Sequence, residues 1–152
     1  MKLLRAFVDS DCSVVESNDA NNQGTYVYPV NQPSSNVDFI VTSVTLNPVA
    51  PAVNGTFTAT VTVKNLGTVS GDGKFLDIWS NQAANQLCGA VGNKRLAVGT
   101  VAAGATKTLT VTGIPAGTTA GNKILRVFVD SGCRAGERLE GNNQSTRAYT
   151  VR

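Results

Sequence analysis

The chain has 152 residues, which is enough for one well-buried domain and little more. Charged residues make up only 15% of it and there is no histidine, so a histidine-based catalytic site is excluded. The net charge of +3 comes from scattered lysines and arginines, so no nucleic-acid-binding surface is expected, and no apolar stretch is long enough to span a bilayer.

The first thirty residues are repeated near the end of the chain. Aligning residues 2–30 with residues 123–151 at a constant offset of 121 gives 15 identities in 29 positions without a gap. Each copy contains two apolar runs around a polar loop, the pattern of two strands joined by a long hairpin loop. We therefore expect residues 1–30 to form a hairpin equivalent to residues 122–151. It would be the end of a preceding repeat in a tandem array, or an element donated to another unit.

The middle of the chain predicts a β-sandwich. Residues 31–37 are expected to be a polar linker, and residues 38–152 a complete unit. Strand-like runs separated by Gly, Asn and Pro occupy residues 39–46, 56–65, 74–80, 106–113, 123–130 and 146–151, with weaker candidates at 86–91 and 95–101. This pattern predicts an all-β chain: an immunoglobulin- or fibronectin-like antiparallel β-sandwich with an extra N-terminal β-hairpin.

The polar loop of each hairpin is rich in the oxygen ligands that Ca²⁺ prefers. The first loop offers Asp9, Asp11, Glu16, Asp19, Asn21 and Asn22, and the second offers Asp130, Glu137, Glu140, Asn142 and Asn143. A dication is expected to bind more weakly at the second loop, where Gly132 replaces an acid and Arg134 and Arg138 add positive charge. The alternative is that these side chains only form Asx-turns, without a metal.

The three cysteines lack the spacing of a zinc site and favour an oxidising compartment. We expect Cys88 to pair with Cys133, closing a loop worth about 4 kcal/mol in the chain-entropy model. Cys12 occupies the same place in the first copy, so its partner would lie in a neighbouring unit. Three buried thiols are the alternative.

Two tripeptides match the N-glycosylation pattern, one at Asn54 and one at Asn143. The pattern is common, and Asn143 also belongs to the candidate calcium loop.

Four segments that together span residues 38–152 resemble those of a known family: VDFIVTSVTLNP, TFTATVTVKNLGTVSG, AVGTVAAGATKTLTVT and LRVFVDSGCRAGERLEGNNQSTRAYTV. They resemble the CARDB family, the cell-adhesion-related domains of bacterial and archaeal surface proteins. The resemblance implies an immunoglobulin-like extracellular repeat without catalytic activity, used for adhesion, spacing or scaffolding. The family does not require cysteines, so those are particular to this chain.

The sequence therefore favours a non-catalytic structural or adhesive module of a cell-surface protein or filament, located outside the cell. Its partners would be copies of itself or neighbouring repeats, arranged head to tail, with the exposed N-terminal hairpin packing by strand complementation. The alternative is a carbohydrate-binding accessory module of a secreted enzyme, with a surface glycan as ligand. The pair Glu137 and Glu140 could flank a glycoside, but turn formation or calcium binding explains them better.

Overall fold

A computed structural model describes residues 2–28, 36–137 and 139–152. The chain divides into two compact units, Met1–Ser34 and Ser35–Arg152. Most of the expected linker lies outside the described residues. Its last two residues belong to the second unit instead, because Val37 is buried and the Asn36 carbonyl accepts a hydrogen bond from the Thr68 amide at 2.7 Å.

The first unit is a hairpin, as predicted. Its strands are β1 (Lys2–Phe7) and β2 (Gln23–Tyr28), paired antiparallel with Lys2 opposite Tyr28 and Phe7 opposite Gln23. Every residue of the two strands is exposed.

The second unit is a sandwich of antiparallel sheets. In chain order its strands are β3 (Phe39–Asn47), β4 (Thr56–Asn65), β5 (Gly71–Asp72), β6 (Phe75–Trp79), β7 (Lys94–Ala97), β8 (Thr100–Val101), β9 (Thr106–Pro115), β10 (Gly121–Val129) and β11 (Gln144–Val151). One sheet has the order β3-β4-β9 and the other β11-β10-β6-β7, while β5 and β8 form a short ladder. The predicted all-β sandwich is confirmed. The described residues include no helix long and apolar enough to cross a membrane.

The core lies between the two large sheets and follows the two-residue period of the strands. Along β4, the inward residues Phe57, Ala59, Val61 and Val63 are at most 2% exposed, and threonines alternate with them. The opposite sheet contributes residues that are fully buried, namely Leu76, Ile78, Leu125, Val127 and Val129.

The second half of β10, residues 125–129, is buried on both faces, because the segment between β6 and β7 covers its outer side. Arg126 points outward from the core, and its guanidinium donates to the carbonyl oxygens of Gln82, at 3.2 Å, and Ala83. It also donates to the side-chain oxygens of Asn85, at 2.7 Å, and Gln144, at 3.2 Å.

The weak strand expected at residues 86–91 is absent, so that prediction is wrong. The segment is an irregular loop held at single points: the Gly89 amide donates to the Ser131 carbonyl at 2.7 Å, and the Ala90 amide donates to Leu87 at 3.1 Å. The Gln144 side chain bonds the backbone of Gln86, and a disulfide holds Cys88, so the chain follows these attachments instead of a strand ladder.

Candidate metal site

Three acidic side chains converge in the loop between β10 and β11. Asp130, Glu137 and Glu140 each offer a carboxylate oxygen, and these oxygens lie within 4.8 Å of one another. Asp130 directly follows β10, and Glu140 begins the 3-10 turn Glu140–Asn142 that leads into β11. The two strand ends therefore bring residues ten positions apart to one place.

The chain reverses at Asp130 through a tight turn, which we call the knuckle, residues 130–135. Asp130 and Cys133 both have left-handed backbone conformations, with φ of 46° and 50°. The Asp130 carbonyl accepts from the Cys133 amide at 2.7 Å. Its carboxylate accepts from the amides of Arg134, at 3.1 Å, and Ala135, at 2.8 Å. Asp130 thus supports the turn while it faces the other acids.

The acidic loop is attached to β3 of the opposite sheet. Glu137 accepts a hydrogen bond from the Phe39 amide at 2.5 Å, through Oε2. Its Oε1 accepts from Asn143 Nδ2 at 2.8 Å. Asn142 Nδ2 donates to Asp38 Oδ1, also at 2.8 Å. The cluster therefore sits where the last hairpin meets the first strand of the sandwich.

Among the described residues, no lysine or arginine forms a salt bridge with the three acids. Burial, followed by the charges of Asp130 and Glu140, raises the pKa of Glu137 to about 8 from its usual 4.5, despite the hydrogen bonds from Phe39 and Asn143. Burial also raises the pKa of Asp130 and of Glu140. A bound cation would offset this repulsion.

Several buried oxygens at the cluster have no hydrogen-bond partner among the described residues: Glu140 Oε2, Asn142 Oδ1 and Asn143 Oδ1. Buried polar atoms are normally paired, so three such acceptors in one place indicate that a donor or a cation belongs there. Carboxylate and amide oxygens are the ligands of hard divalent cations. The donor set therefore fits a metal ion of this class.

The structure brings Asp130, Glu137 and Glu140 together and bonds Asn143 to Glu137, while the Asn142 side chain bonds Asp38. Sequence reasoning missed Asp38 and Lys74; the positive charge of Lys74 acts to lower the pKa of Asp130. Arg134 contributes its backbone amide, while its side chain lines a surface cavity. Arg138 lies outside the described residues.

The first loop has the same knuckle but not the same cluster. Asp9 and Cys12 have φ of 49° and 51°, and the Asp9 carboxylate accepts from the amides of Ser13 and Val14, both at 3.0 Å. The Val8 amide donates to the Asn22 carbonyl at 3.0 Å, as the Val129 amide does to Asn143.

Of the first-loop acids, Asp11 and Glu16 are exposed, and they form no group of three with Asp9 among the described side chains. Nothing is described for the side chain of Asp19. Asn21 is exposed. Asn22 Nδ2 is buried and has no partner among the described residues, whereas the equivalent atom of Asn143 donates to Glu137. Among the described residues, three acids converge only in the second loop, and the relative affinity of the two loops stays a prediction.

Cys88 and Cys133 form a disulfide, with their Cα atoms 5.5 Å apart. The bond ties the segment that covers β10 to the knuckle beside the acidic cluster. Cys12 is a free, exposed thiol, so the alternative of three buried thiols is wrong.

The two glycosylation candidates differ in accessibility. Asn143 is fully buried and its side-chain amide donates to Glu137, so in this fold it cannot carry a glycan and that prediction is wrong. Asn54 is exposed and stays a prediction.

A family model for CARDB matches residues 36–147, which is most of the second unit and includes the whole acidic loop. The chain belongs to the CARDB family. Its sandwich is similar to the CARDB domain of a Pyrococcus furiosus protein solved in complex with di-metal ions. The identity is 23%, the match covers 78% of this chain and 90% of that one, and the TM-score is 0.58.

A second structural neighbour is a domain of a protein from Methanosarcina acetivorans that is described as a cell-surface protein. It is 20% identical, over 74% of this chain and 91% of that one, with a TM-score of 0.54. The chain matches none of the curated proteins. At these identities the likeness concerns the CARDB fold alone.

Proposed function

We propose that this CARDB domain is a non-catalytic structural module of an extracellular or cell-surface protein, in which Ca²⁺ fastens the closing hairpin to β3. The observation that carries the proposal is the convergence of three acids where the two sheets meet. Glu140 and the neighbouring Asn142 and Asn143 each have a buried oxygen that lacks a hydrogen-bond partner among the described residues. A cation held there would join β10 and β11 to the strand that begins at Phe39.

An extracellular location is supported by the disulfide, because such bonds persist in oxidising compartments. The Methanosarcina neighbour, described as a cell-surface protein, agrees with it.

Calcium is favoured among divalent cations because the candidate ligands are all oxygens on an irregular loop. Zn²⁺ and other transition metals prefer imidazole or thiolate, and the chain has no histidine. Mg²⁺ demands near-octahedral geometry and dehydrates reluctantly, whereas Ca²⁺ accepts six to eight ligands in flexible arrangements. The di-metal complex of the Pyrococcus domain supports metal binding within this fold family.

Calorimetric titration of the chelator-treated full chain with Ca²⁺ tests the proposal, and Mg²⁺ serves as the competing ion. We expect binding that is lost in the double variant Glu137→Gln/Glu140→Gln. The matched control is Glu16→Gln, which changes the equivalent residue of the first loop and should leave this binding intact. If the wild-type chain shows neither heat of binding nor a shift in unfolding midpoint at millimolar Ca²⁺, the metal proposal is wrong.

The second element of the proposed function is assembly: the N-terminal hairpin packs on a neighbouring unit. Leu3, Leu4, Phe7, Tyr26 and Val27 are 42–68% exposed, which is unfavourable for so many large apolar side chains on one short hairpin. Head-to-tail packing would be heterologous and would extend into an array or filament that serves an adhesive or spacing role. Assembly through this surface would be contradicted if residues 2–28 were cut by protease as readily beside an attached unit that lacks its own closing hairpin as they are in the chain alone.

Carbohydrate binding is a second candidate function, favoured by one observation. Phe75 is 44% exposed and lines a cavity of about 380 Å³ together with Lys74, Arg95 and Arg134. An aromatic ring beside cationic donors is a suitable contact for a sugar. Screening the chain and its Phe75→Ala variant on a glycan array tests this, and an array without hits for the wild-type chain rejects it.

A further inference from the structure

The two hairpins have nearly the same sequence and backbone, so the contacts of the second indicate the kind of surface against which the first would pack. Both have the same strand register, with Lys2 opposite Tyr28 and Lys123 opposite Tyr149. In the complete unit, Leu125, Val127, Phe128 and Val129 are at most 1% exposed. Their counterparts Leu4, Phe7 and Val8 are 42–72% exposed, and Ala6 is exposed as well. The first hairpin therefore has the surface of a core element that lacks its core.

The backbone of β1 also lacks a partner that the equivalent strand has in the complete unit. Strand β10 pairs with β6 from Arg126, opposite Trp79, to Val129, opposite Leu76. The corresponding residues 5–8 comprise the end of β1 and Val8. Among the described residues their outer edge has no strand partner, since β1 pairs with β2 alone. An edge of this kind favours addition of another strand.

Three polar side chains that form hydrogen bonds in the second hairpin have exposed equivalents in the first. The buried guanidinium of Arg126 binds the segment that covers β10, while Arg5 is exposed. Tyr149 donates its hydroxyl to the Ser80 carbonyl at 2.7 Å, while Tyr28 is 37% exposed. Gln144 exchanges hydrogen bonds with the backbone of residue 86, at 2.9 Å and 2.8 Å, while Gln23 is exposed. All these contacts in the complete unit are made to residues 80–86.

The cysteines identify the same segment. Cys133 is bonded to Cys88, two residues beyond its end, and its counterpart Cys12 is an exposed free thiol. Cys12 also lies in a knuckle with the same left-handed φ, 51° against 50°, so the thiol is presented by the same local backbone.

We propose that residues 2–28 close a second CARDB sandwich, whose remaining strands come from a segment equivalent to residues 36–121 that has no closing hairpin of its own. Cys12 forms a disulfide with the cysteine that occupies the place of Cys88 in that segment. The inference rests on the assembly element of the proposed function and names its partner. A second copy of this chain is not that partner, because its site beside β6 is filled by its own β10 and its Cys88 is already bonded.

The disulfide forms by thiol–disulfide exchange with a small disulfide such as oxidised glutathione. The two cysteine thiols lose two protons and two electrons, and one oxidised glutathione becomes two molecules of the reduced thiol. The S–S bond of glutathione breaks and that of the protein forms.

A fusion tests the proposal directly: residues 36–122 are joined to the N-terminal end of residues 2–152, so that Asn122 precedes Lys2 as it precedes Lys123 in the complete unit. The fusion has four cysteines, because the added segment contributes a second copy of Cys88. Both the chain and the fusion are folded in a glutathione redox buffer. Free thiols are then counted with a thiol reagent, and disulfides are mapped by non-reducing peptide mass analysis.

We expect one free thiol per molecule in the original chain and none in the fusion, with Cys12 joined to the added Cys88. Residues 2–28 should also become resistant to protease in the fusion. Introducing Leu4→Asp into the fusion should leave Cys12 and the added Cys88 reactive, because the residue equivalent to Leu4 is fully buried in the complete unit. The same substitution in the original chain falls on an exposed side chain and should leave its second unit folded.

The proposal is wrong if Cys12 stays reactive in a fusion whose downstream unit is folded, or if the added Cys88 pairs elsewhere. It is also wrong if the original chain forms a stable dimer in which Cys12 is protected, since the acceptor would then be a second copy. That result would keep the broader assembly function, and calcium binding is measured separately on the original chain, so the failures are distinguishable.

Discussion

Without a bound cation, the unit Ser35–Arg152 should become less stable as the pH rises from about 5 to about 8, and Glu137→Gln should remove most of that loss. The pKa of Glu137 is raised to about 8 from 4.5, so between these values the folded state retains a proton that the unfolded chain has released. Stability is therefore fully present below the unfolded pKa and is lost as the pH rises through the folded one. The pKa values of Asp130 and Glu140 are raised too, which acts in the same direction.

The magnitude follows from the difference of the two values, 8 minus 4.5. At about 1.4 kcal/mol per pKa unit, the loss is about 5 kcal/mol at most. A typical domain has about 5–15 kcal/mol of stability in all, so the effect would be large.

Glutamine stays neutral over this range and preserves the local hydrogen bonds. Its carbonyl oxygen can accept from the Phe39 amide as the carboxyl does. Its amide group would face Asn143, whose Oδ1 has no partner among the described residues and can accept after the Asn143 amide rotates. We therefore expect Glu137→Gln to fold.

The assay is urea unfolding in chelator at pH 5 and at pH 8, followed by the fluorescence of Trp79. This is the chain's single tryptophan and is buried in β6, so it reports on the second unit. Calcium at 100 times its Kd should restore about 2.7 kcal/mol to the wild-type chain at pH 8 and much less to the variant. Glu16→Gln, at the exposed equivalent position, should behave as wild type. A metal-free wild-type chain that is as stable at pH 8 as at pH 5 would refute the reasoning, as would a variant that keeps the full pH-dependent loss.

Three further predictions use the same unfolding assay, with the first hairpin supplying a matched control for each. Replacing Cys88 and Cys133 by serine should lower the free energy of unfolding by about 4 kcal/mol, because a 45-residue loop is released. The control Cys12→Ser should leave the free energy of unfolding unchanged. Equal unfolding midpoints for the double serine variant and wild type would contradict this. Arg126→Ala should lower the free energy of unfolding by about 3 kcal/mol, since it removes a buried cation that donates to four oxygens. The control Arg5→Ala, at an exposed position, should leave it unchanged. A similar loss in both variants would contradict the role given to Arg126. Tyr149→Phe should lower the free energy of unfolding by about 1 kcal/mol, because the hydrogen bond to the Ser80 carbonyl is lost. The control Tyr28→Phe should leave the free energy of unfolding unchanged. A Tyr149→Phe variant as stable as wild type would contradict a stabilising role for this hydrogen bond.

The sheet architecture was predictable because β4 alternates between apolar and polar residues over most of its length. Residues 56–65 have the predicted bounds, since threonines alternate with buried apolar residues as far as Val63. The failure at residues 86–91 has a physical reason as well. That segment is held by a disulfide and by backbone bonds to Ser131, partners more than 40 residues away that leave no local period in the sequence.

The candidate site was predictable only in part, for the same reason. Its acids lie within eleven residues of one another, so the polar loop was visible as a cluster in the sequence. Its attachment to β3 was not, because Phe39 and Asp38 meet Glu137 and Asn142 across 98 and 104 residues. That attachment also explains why the two loops differ, since Glu16 is exposed where Glu137 receives the Phe39 amide.

The knuckle has the same backbone in both hairpins, although only one of them is bonded through its cysteine and surrounded by a core. Its left-handed residues and its carboxylate-to-amide bonds are therefore set by the local sequence. A segment whose bound shape already exists when it is free loses little conformational entropy on association. The loop of the N-terminal hairpin would then be preorganised for binding to an acceptor, and slow rearrangement of this loop should not limit the rate of association.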